Sequence, residues 1–293
     1  MRVLVTGGVG FIGWALTAWL SEHGHDVTYT VHENDIERDF ATKIEMDITD
    51  SVPTVEKIEA LSPDVVLHTA ALSDADLCEN NPSLAREVNV EGTENVITGA
   101  TAAESFVVFF SSSFVFDGGS DIHRESDPVS PINVYGQTKA TAEDIVSAAD
   151  IQSAVLRIDQ PYALTELSHH YSMVSWILEK LKKDEEVEVF SDWYNNPILL
   201  TDVCLAVQAL LSTRETGIYH AVGPDYINRF NWARIIADEF GYDSDWIRPT
   251  VSSNCNFEAE RPNARLTNEK LCSLSQWSPR GVHAGATYLS EQW

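Results

Sequence analysis

The sequence predicts an α/β fold in which a doubly wound parallel Rossmann sheet carries a smaller, interleaved C-terminal lobe. Apolar, strand-like runs alternate with helical patterns along the first half of the chain, which is the rhythm of repeated strand–helix–strand units. The run at 106–110 has no polar alternation, as expected for a central strand that is covered on both faces. A glycine-rich turn at 7–13, directly after the first apolar run, is typical of the same fold.

The predicted elements follow one another in a regular order. Strands are predicted at 2–6, 26–31, 43–46, 65–68, 106–111 and 153–157, and helices at 11–22, 53–61, 82–102 and 134–148. Each helix is long enough to cross from one parallel strand to the next. Beyond residue 157 the pattern loosens, with helices predicted at 171–182, 201–211 and 231–240 and a strand at 217–222. We therefore predict a Rossmann domain at 1–160 and a second lobe at 161–293, of which about 197–223 returns to the Rossmann domain.

The composition limits the classes of partner. The 293 residues include 45 Asp and Glu against 19 Lys and Arg, a formal net charge of −26, so that we expect no nucleic acid as a partner. Such a charge repels itself at low salt and is screened at high salt, and the chain has only seven lysines, which favours a halophilic protein over an ordinary acidic one. No apolar run approaches the ~20 residues that span a bilayer, and the chain begins directly with the first strand. We therefore expect a cytoplasmic protein without a membrane partner.

Several conspicuous side chains receive structural interpretations. The cysteines are scattered without metal-ligand spacing, so that we expect no zinc or other metal site and no disulfide; they are Cys78, Cys204, Cys255 and Cys272. His169 and His170 lie in a polar stretch without a third ligand and are expected to face solvent. Trp14 and Trp19 are expected to pack against the body of the protein.

The segment Thr6-Gly7-Gly8-Val9-Gly10-Phe11-Ile12-Gly13 is a candidate phosphate-binding turn. Gly7 permits the tight turn, Gly10 lets the backbone approach a pyrophosphate without an intervening Cβ, and Gly13 allows the following helix to pack closely on the strand. The N–H groups and the positive dipole end of that helix then face the anion. An ordinary glycine-rich turn is the alternative, but the strand before it and the helix after it favour a bound dinucleotide.

A second group of residues is suited to proton transfer. Tyr135 and Lys139 are four residues apart, so that they share one face of the predicted helix. We expect the ammonium to lower the tyrosine pKa from its reference value of about 10, which lets Tyr135 exchange a proton with a carbonyl or an alcohol. A serine at the end of the strand at 106–111 can hydrogen-bond the same oxygen. We take this serine as Ser112, and Ser111 or Ser113 replaces it if the register differs by one residue.

With these motifs the chain resembles the extended short-chain dehydrogenase/reductase family and, within it, most closely the dTDP-4-dehydrorhamnose reductase branch. The resemblance runs nearly from end to end. Besides the glycine turn and the tyrosine–lysine pair, the shared segments are Met46-Asp47-Ile48-Thr49-Asp50, His68-Thr69-Ala70-Ala71, Asn89-Val90-Glu91-Gly92-Thr93, Ser112-Ser113-Phe114-Val115-Phe116-Asp117-Gly118 and Asp192-Trp193-Tyr194-Asn195-Asn196-Pro197.

The resemblance implies a nicotinamide cofactor and assigns contacts to it. The residues implied to hold the pyrophosphate are Gly7, Gly10, Phe11, Ile12 and Gly13, those flanking the adenine are Asp47 and Ile48, and those on the nicotinamide-ribose side are Ala70, Ala71 and Lys139. The implied catalytic residues are Ser112, Tyr135 and Lys139, with Tyr135 as the proton donor during reduction. His32, Glu33 and Asp35 follow the second strand, with Arg38 further on. An acidic residue at this place favours NAD, and a basic residue favours NADP. We therefore expect a slight preference for NAD over NADP as the cofactor.

The implied function is the NAD(P)H-dependent reduction of a 4-keto group on a nucleotide-linked deoxysugar, which the second lobe would bind. Two alternatives stay open. One is a sugar-nucleotide epimerase or dehydratase of the same superfamily, and the other is a non-catalytic NAD(P)-binding regulatory subunit similar to that of methionine adenosyltransferase. The intact serine–tyrosine–lysine set argues against the second alternative. A homodimer is left open.

The chain departs from the pattern of the branch at several places. Ile158-Asp159-Gln160-Pro161-Tyr162 stands where a Thr-Ser-Trp element is usual, and Ser113 stands where an aspartate is common. Arg261-Pro262-Asn263 resembles the late Arg-Pro element of the branch, but the segment after it is one residue shorter. Asp192-Trp193-Tyr194 either turns the chain or contacts a sugar nucleotide. The identities of the sugar and of the nucleotide are therefore left open.

Overall fold

The computed structural model describes residues 1–32, 36–164, 172–274 and 277–293. The strands are β1 (Arg2–Thr6), β2 (Asp26–Val31), β3 (Thr42–Glu45), β4 (Val65–His68), β5 (Phe106–Ser112), β6 (Ser153–Ile158), β7 (Pro161–Tyr162), β8 (Val187–Phe190), β9 (Tyr194–Asn195), β10 (Ile198–Leu199), β11 (Gly217–Ala221), β12 (Ile227–Asn228) and β13 (Ile247–Thr250). The α-helices are α1 (Phe11–Glu22), α2 (Ser51–Leu61), α3 (Ala75–Asn80), α4 (Pro82–Arg86), α5 (Gly92–Ala102), α6 (Val134–Ala148), α7 (Met173–Leu181), α8 (Leu200–Thr213), α9 (Arg229–Glu239), α10 (Glu269–Leu274) and α11 (Val282–Ser290).

Seven strands form one parallel sheet in the order β3-β2-β1-β4-β5-β6-β11. The order reverses between β1 and β4, and in open parallel sheets ligands bind in the crevice outside the carboxyl ends of the strands at such a reversal. The doubly wound α/β fold expected from the sequence is therefore confirmed. The carboxyl end of β1 is the start of the glycine turn, and that of β5 is the serine cluster.

Both faces of this sheet are covered. Alternate residues of β5 belong to different apolar clusters: Phe106, Val108 and Phe110 pack on one side, and Val107 and Phe109 pack on the other. All seven residues of β5 are buried. This is why the strand carries a continuous apolar run, since neither face meets water.

The predicted helix at 82–102 is the main local difference between expectation and structure. It is divided into α4, a π-helical turn at Glu87–Glu91 and α5. Asn89, within the π turn, accepts the N–H of Leu72 at 2.7 Å and donates to the Leu72 carbonyl at 3.0 Å. The wider turn accommodates a side chain that must reach the loop after β4, and π turns of this kind are frequent near functional sites.

Other boundaries differ by one to three residues. The strand expected at 43–46 is Thr42–Glu45, the helix expected at 53–61 begins at Ser51, and the helix expected at 231–240 is Arg229–Glu239. The helix expected at 171–182 is Met173–Leu181, capped by the Ser172 hydroxyl, which accepts the N–H of Ser175 at 3.1 Å; residue 171 lies outside the described residues. The six-residue helices α3 and α10 are too short to show a helical period and were not predicted, and α11 was not predicted either.

The C-terminal part of the chain surrounds the carboxyl edge of the sheet. Helices α7, α9 and α11 enclose an apolar cluster with Tyr162 and Trp232 at its centre, and β8 and β13 pair beside it. Helix α8 packs against α1, and β11 joins the large sheet next to β6. The division at residue 160 stays a prediction.

Candidate active site

The glycine turn after β1 is built around close backbone contacts. Gly7 has φ +69°, and a Cβ there would lie 2.7 Å from the Cα of Ala70. A Cβ on Gly13 would overlap the carbonyl oxygen of Gly7. Both glycines are therefore required by the fold itself, one by conformation and both by packing.

Gly10 differs from its two neighbours in the motif. Its N–H donates to the Gly7 carbonyl at 2.9 Å, and its φ of −70° is open to any residue. A Cβ on Gly10 would contact only that same carbonyl, at 3.2 Å, and would otherwise project into a cavity at the start of α1. The backbone conformation does not require a glycine here and only one contact is tight, so the open space in front of Gly10 is the feature that fits a phosphate group.

That cavity has a volume of about 980 Å³ and lies at the carboxyl edge of the sheet. Its residues come from the glycine turn, the loops after β4, β5 and β6, helix α6 and the C-terminal part of the chain. They are Gly10, Phe11, Ile12, Gly13, Thr69, Ala71, Ser73, Asp74, Ala75, Asp76, Phe110, Ser111, Ser112, Ser113, Phe114, Tyr135, Lys139, Ile158, Asp159, Gln160, Pro161, Ser172, Trp193, Arg229 and Arg261. One cavity thus joins the glycine turn to the expected catalytic residues, while Gly7, Asp47, Ile48 and Ala70 lie outside its lining.

Asp47 and Ile48 follow β3, which is separated from β4 by β2 and β1 in the sheet. Asp47 accepts the N–H and the hydroxyl of Thr49 at 2.9 and 2.8 Å, and its other oxygen lies 3.7 Å from Nε2 of His32. Ile48 is buried, with its side chain under Gly92. These contacts fix the shape of the edge where the adenine was expected.

Arg38 is a buried basic group near this edge. Its guanidinium carbon lies 3.1 Å from the centroid of the Trp14 ring, and Nη1 donates to the Trp14 carbonyl at 2.9 Å. Nε and Nη2 of Arg38 are buried without a hydrogen-bond partner. Trp14 thus packs against Arg38, and Trp19 stacks on His23. Glu33 and Asp35, the acids behind the expected lean to NAD, lie outside the described residues.

Helix α6 presents Tyr135 and Lys139 to the cavity. Its first turn is held by Asn133, whose Oδ1 accepts the Gly136 N–H at 2.8 Å, and by Glu79, whose carboxylate accepts the Val134 N–H at 2.9 Å. The ring of Tyr135 meets Phe114 edge to face, with 5.6 Å between the centroids. Lys139 is 2% exposed, and its Nζ lies 4.1 Å from the centroid of the Phe109 ring.

The three serines at the end of β5 have different partners. Ser111 donates to Glu143 at 2.5 Å, and Ser113 donates to Asp159 at 2.9 Å. Ser112 accepts the N–H of Phe114 at 3.3 Å and interacts with Tyr135. Because the other two hydroxyls are engaged in buried networks, the geometry favours Ser112 as the serine that acts with Tyr135.

The electrostatics differ from the expectation drawn from the sequence. Burial raises the pKa of Tyr135 to about 12, and the hydrogen bond with Ser112 only opposes this rise. Burial lowers the pKa of Lys139 to about 7, against the attraction of the Glu143 carboxylate. The expectation that the ammonium makes Tyr135 more acidic is therefore wrong for the ligand-free protein, because burial raises the pKa of Tyr135 and Lys139 does not measurably lower it. Tyr135 is a phenol at neutral pH, which is the form that can donate a proton.

The two unusual residues Ser113 and Asp159 are hydrogen-bonded to each other. Asp159 also accepts the Asn195 side-chain amide at 3.0 Å and the Asn196 backbone N–H at 2.6 Å. Burial raises the pKa of this carboxyl, and its hydrogen bonds oppose the rise. Asp159 thereby ties β6 to the turn that carries Trp193.

Two arginines form the far wall of the cavity. The guanidinium carbon of Arg229 lies 3.4 Å from the centroid of the Trp193 ring, Nε donates to Asn195 Oδ1 at 3.0 Å, and Nη2 donates to Gln160 Oε1. Arg261 donates to Asp76 at 2.7 Å. Neither Arg229 nor Gln160 was identified as a site residue from the sequence. For Gln160 the only signal was that residues 158–162 depart from the pattern of the branch. For Arg229 there was no signal, because an arginine at the start of a helix is not unusual.

Other expectations concern metals and membranes. The four cysteines are free thiols. Within the described residues, no group of metal-ligating side chains comes together, and no helix is long and apolar enough to cross a membrane. His169 and His170 lie outside the described residues.

Comparisons with known proteins agree with this architecture. The sequence model of the family described as RmlD substrate binding domain matches residues 1–288. Methionine adenosyltransferase 2 subunit beta of Pongo abelii is 31% identical over 93% of this chain and 82% of its own. The dTDP-4-dehydrorhamnose reductase of Salmonella typhimurium is 28% identical over 94% of each chain. The crystal structure of dTDP-4-dehydrorhamnose reductase from Bacillus anthracis in complex with NADP has a TM-score of 0.87 at 21% identity, covering 100% of this chain and 99% of that one. The chain therefore belongs to the RmlD substrate-binding-domain family, a group of extended short-chain dehydrogenase/reductases.

Proposed function

We propose that this protein is an NAD(P)H-dependent reductase of a 4-keto group on a nucleotide-linked deoxysugar. The observation that carries the proposal is the single cavity that joins the glycine turn to Ser112, Tyr135 and Lys139. A dinucleotide along the carboxyl edge from β3 to β5 would bring its nicotinamide end to these three side chains. The relatives named dTDP-4-dehydrorhamnose reductase support the same reaction.

The residues present fit a dinucleotide. The open space in front of Gly10, at the start of α1, suits a pyrophosphate, which the helix N-terminus attracts. We propose that Gly7, Gly10, Phe11, Ile12 and Gly13 form this part of the site, that Asp47 and Ile48 flank the adenine, and that Ala70, Ala71 and Lys139 lie beside the nicotinamide ribose. The bound NADH or NADPH supplies the hydride that reduces the carbonyl carbon.

Tyr135 donates the proton that the carbonyl oxygen needs. Its raised pKa keeps the phenol protonated until negative charge develops on that oxygen. The Ser112 hydroxyl orients the oxygen and donates a hydrogen bond to it. After transfer the Tyr135 phenolate is stabilised by Lys139 in its ammonium form, which lies on the same helix face one turn away.

The far wall of the cavity suits a diphosphate. Arg229 and Arg261 are two positive groups lining a cavity in a chain of net charge −26, and burial lowers the pKa of Arg229 only to about 10, so that it remains charged at neutral pH. Guanidinium groups bind phosphate oxygens bidentately. We propose that this wall takes the diphosphate of the substrate, with Trp193 as the flat surface that Arg229 rests on.

A regulatory subunit is the second candidate, because the relative with 31% identity is named a subunit of methionine adenosyltransferase. The buried Tyr135 and Lys139 in a cavity open to ligands support the reductase instead. An epimerase or dehydratase would use the same dinucleotide without net consumption.

The experiment is to follow NADH and NADPH absorbance with a panel of nucleotide-linked 4-keto sugars. A reductase consumes the cofactor in proportion to substrate, an epimerase does not, and a regulatory subunit binds without turnover. Stoichiometric consumption that is lost in Tyr135→Phe and retained in Tyr242→Phe supports the proposal. Tyr242 is a suitable control because its ring packs in an apolar cluster away from the cavity. Cofactor binding without turnover on every substrate in the panel would contradict it.

The remaining expectations stay predictions. We propose that the −26 charge is an adaptation to concentrated salt, that the protein works in the cytoplasm, and that residues 161–293 mainly bind the substrate. A homodimer stays open.

A further inference from the structure

The carboxylate of Glu143 stands one helical turn beyond Lys139 and is held by an extended buried network. Arg157 donates to it from Nε at 2.9 Å and from Nη2 at 2.6 Å, and Ser111 adds a third hydrogen bond at 2.5 Å. The side chains of Arg157 and Glu143 are 2% and 5% exposed. Three donors, two of them from one guanidinium, fix the position of this buried carboxylate.

The network continues away from the cavity. Nη1 of Arg157 lies 3.4 Å from Nε2 of His220, and Nδ1 of His220 lies 3.1 Å from the Thr267 carbonyl. A carbonyl can only accept, so Nδ1 carries the proton and Nε2 accepts from Arg157. The chain of contacts fixes Glu143 in place from β5, β6 and β11.

Lys139 is buried near few charged groups. Glu143 on its own helix is the charge that opposes the lowering of the Lys139 pKa by burial, and His68 of β4 also lies near Lys139. Tyr135 is one turn before Lys139 on the helix, and Cys78 of α3 faces Tyr135. His68 is fully buried, and burial lowers its pKa to about 3, so that it is neutral in any assay. The Phe109 ring also lies close to the Lys139 ammonium.

We infer that Glu143 is a positioning residue for the proposed reduction: fixed by Arg157 and Ser111, its carboxylate keeps the buried Lys139 in the ammonium form that stabilises the Tyr135 phenolate. The three residues that take part in this proton transfer are then spaced one turn apart along α6, at Tyr135, Lys139 and Glu143. This inference rests on the proposed function for the role of Lys139, but the charge of Lys139 can be measured without any substrate.

The first measurement is the titration of Lys139 in protein carrying ¹³C-labelled lysine, with the Lys139 signal assigned by its loss in Lys139→Arg. The chain has seven lysines, so that the spectrum is simple. In Glu143→Gln we expect the titration midpoint to fall by about one pH unit or more, the usual effect of removing an opposite charge at close range. Asp144→Asn, which removes an exposed carboxylate next to Glu143 on the same helix, should leave the midpoint unchanged.

A second variant guards against misfolding, because Glu143→Gln leaves a buried cation unpaired. Glu143→Gln with Arg157→Gln removes both charges, and we expect the midpoint to fall here too, since the Glu143 carboxylate raises the pKa of Lys139 and Arg157 has no resolved effect on it. If the pair acts on Lys139 as one neutral unit, the midpoint of the double variant equals that of the parent protein, and the inference is overturned.

The second measurement is the pH profile of kcat/KM. In Glu143→Gln the alkaline limb should move to lower pH by the same interval as the midpoint, and adding Lys139→Arg should move it back, because arginine stays charged. A fall in kcat with the limb unmoved would mean that Glu143 only supports the fold. If the parent protein consumes no cofactor on any substrate, the proposed reductase fails, while the titration of Lys139 still decides the role of Glu143.

Discussion

Replacement of Gly10 by valine should separate binding of a dinucleotide from folding. At Gly10 the backbone conformation is open to a branched residue, and a Cβ meets only the Gly7 carbonyl, at 3.2 Å. We therefore expect the free energy of unfolding of ligand-free Gly10→Val to fall by about 1–2 kcal/mol, since only the Gly7 carbonyl has to shift, by a few tenths of an ångström.

Binding should respond much more strongly. The valine methyl groups would occupy the space in front of the α1 N-terminus, so that the phosphate loses its bonds to the helix N–H groups. Two bonds to a charged acceptor contribute about 3–6 kcal/mol together. This corresponds to a loss of NAD(P)H affinity of about 100-fold or more.

Two other glycines serve as controls. Gly7→Ala combines a φ of +69° with a Cβ 2.7 Å from the Ala70 Cα, so that we expect about 2–5 kcal/mol of destabilisation from strain and overlap together. Gly24→Ala has φ +78° with nothing within 4 Å, so that only the strain of about 1 kcal/mol remains.

The assay is urea unfolding of each ligand-free variant together with fluorescence titration of NADH and NADPH. The reasoning is refuted by a folded Gly10→Val protein with the affinity of the parent protein. It is also refuted if Gly10→Val is destabilised as much as Gly7→Ala.

Four further predictions concern the site and the surface. Tyr135→Phe should lower kcat by about 10²–10⁴-fold with cofactor affinity unchanged, and turnover near that of Tyr242→Phe would reject Tyr135 as the acid. Arg229→Lys keeps the positive charge but removes the guanidinium group that hydrogen-bonds Asn195 and Gln160. In steady-state kinetics, KM for the nucleotide-linked substrate should therefore rise about tenfold or more, while cofactor affinity stays unchanged. The folded-state pKa of Lys139 of about 7 is below its unfolded value of 10.5, so that the unfolded chain binds more protons between these limits and stability rises with pH. Urea unfolding of the ligand-free protein should show this rise by about 1–2 kcal/mol from pH 7.5 to 9 relative to Lys139→Met, and equal slopes would contradict it. The charge of −26 predicts that the Tm rises between ~0.1 M and molar KCl as the screening length falls from about 10 Å to about 3 Å, and a flat Tm would remove the halophilic interpretation.

Local signals predicted the sheet and the order of its strands along the chain, because most of its strands are apolar runs followed by a turn; β3, Thr42–Glu45, is an exception. The run at 106–110 is a good example, since a strand buried on both faces shows no polar residue. The glycine spacing and the four-residue interval between Tyr135 and Lys139 are equally local, so that these residues could be assigned before the fold was known.

Features that depend on distant parts of the chain could not be predicted in this way. Arg229 enters the cavity only because Asn195 and Gln160 hold its guanidinium, and these partners are 34 and 69 residues away. The raised pKa of Tyr135 follows from burial by several elements, whereas the sequence shows only the neighbouring lysine. The difference between Ser111, Ser112 and Ser113 likewise depends on Glu143 and Asp159, which lie on other elements.

The π turn at Glu87–Glu91 also constrains how the length of this region can change. Deleting one residue there would restore a regular α-helix and leave α4 and α5 in nearly their present register, because a π turn holds one residue more than an α turn. Gly92, over the Ile48 side chain, and Thr93, which bonds Nε2 of the buried His68 at 3.0 Å, would keep these contacts, whereas Asn89 would lose its hold on Leu72. A deletion within α5 would instead rotate the residues after it by about 100°. A one-residue deletion in the π turn should therefore preserve the fold and release the loop after β4, which borders the cavity.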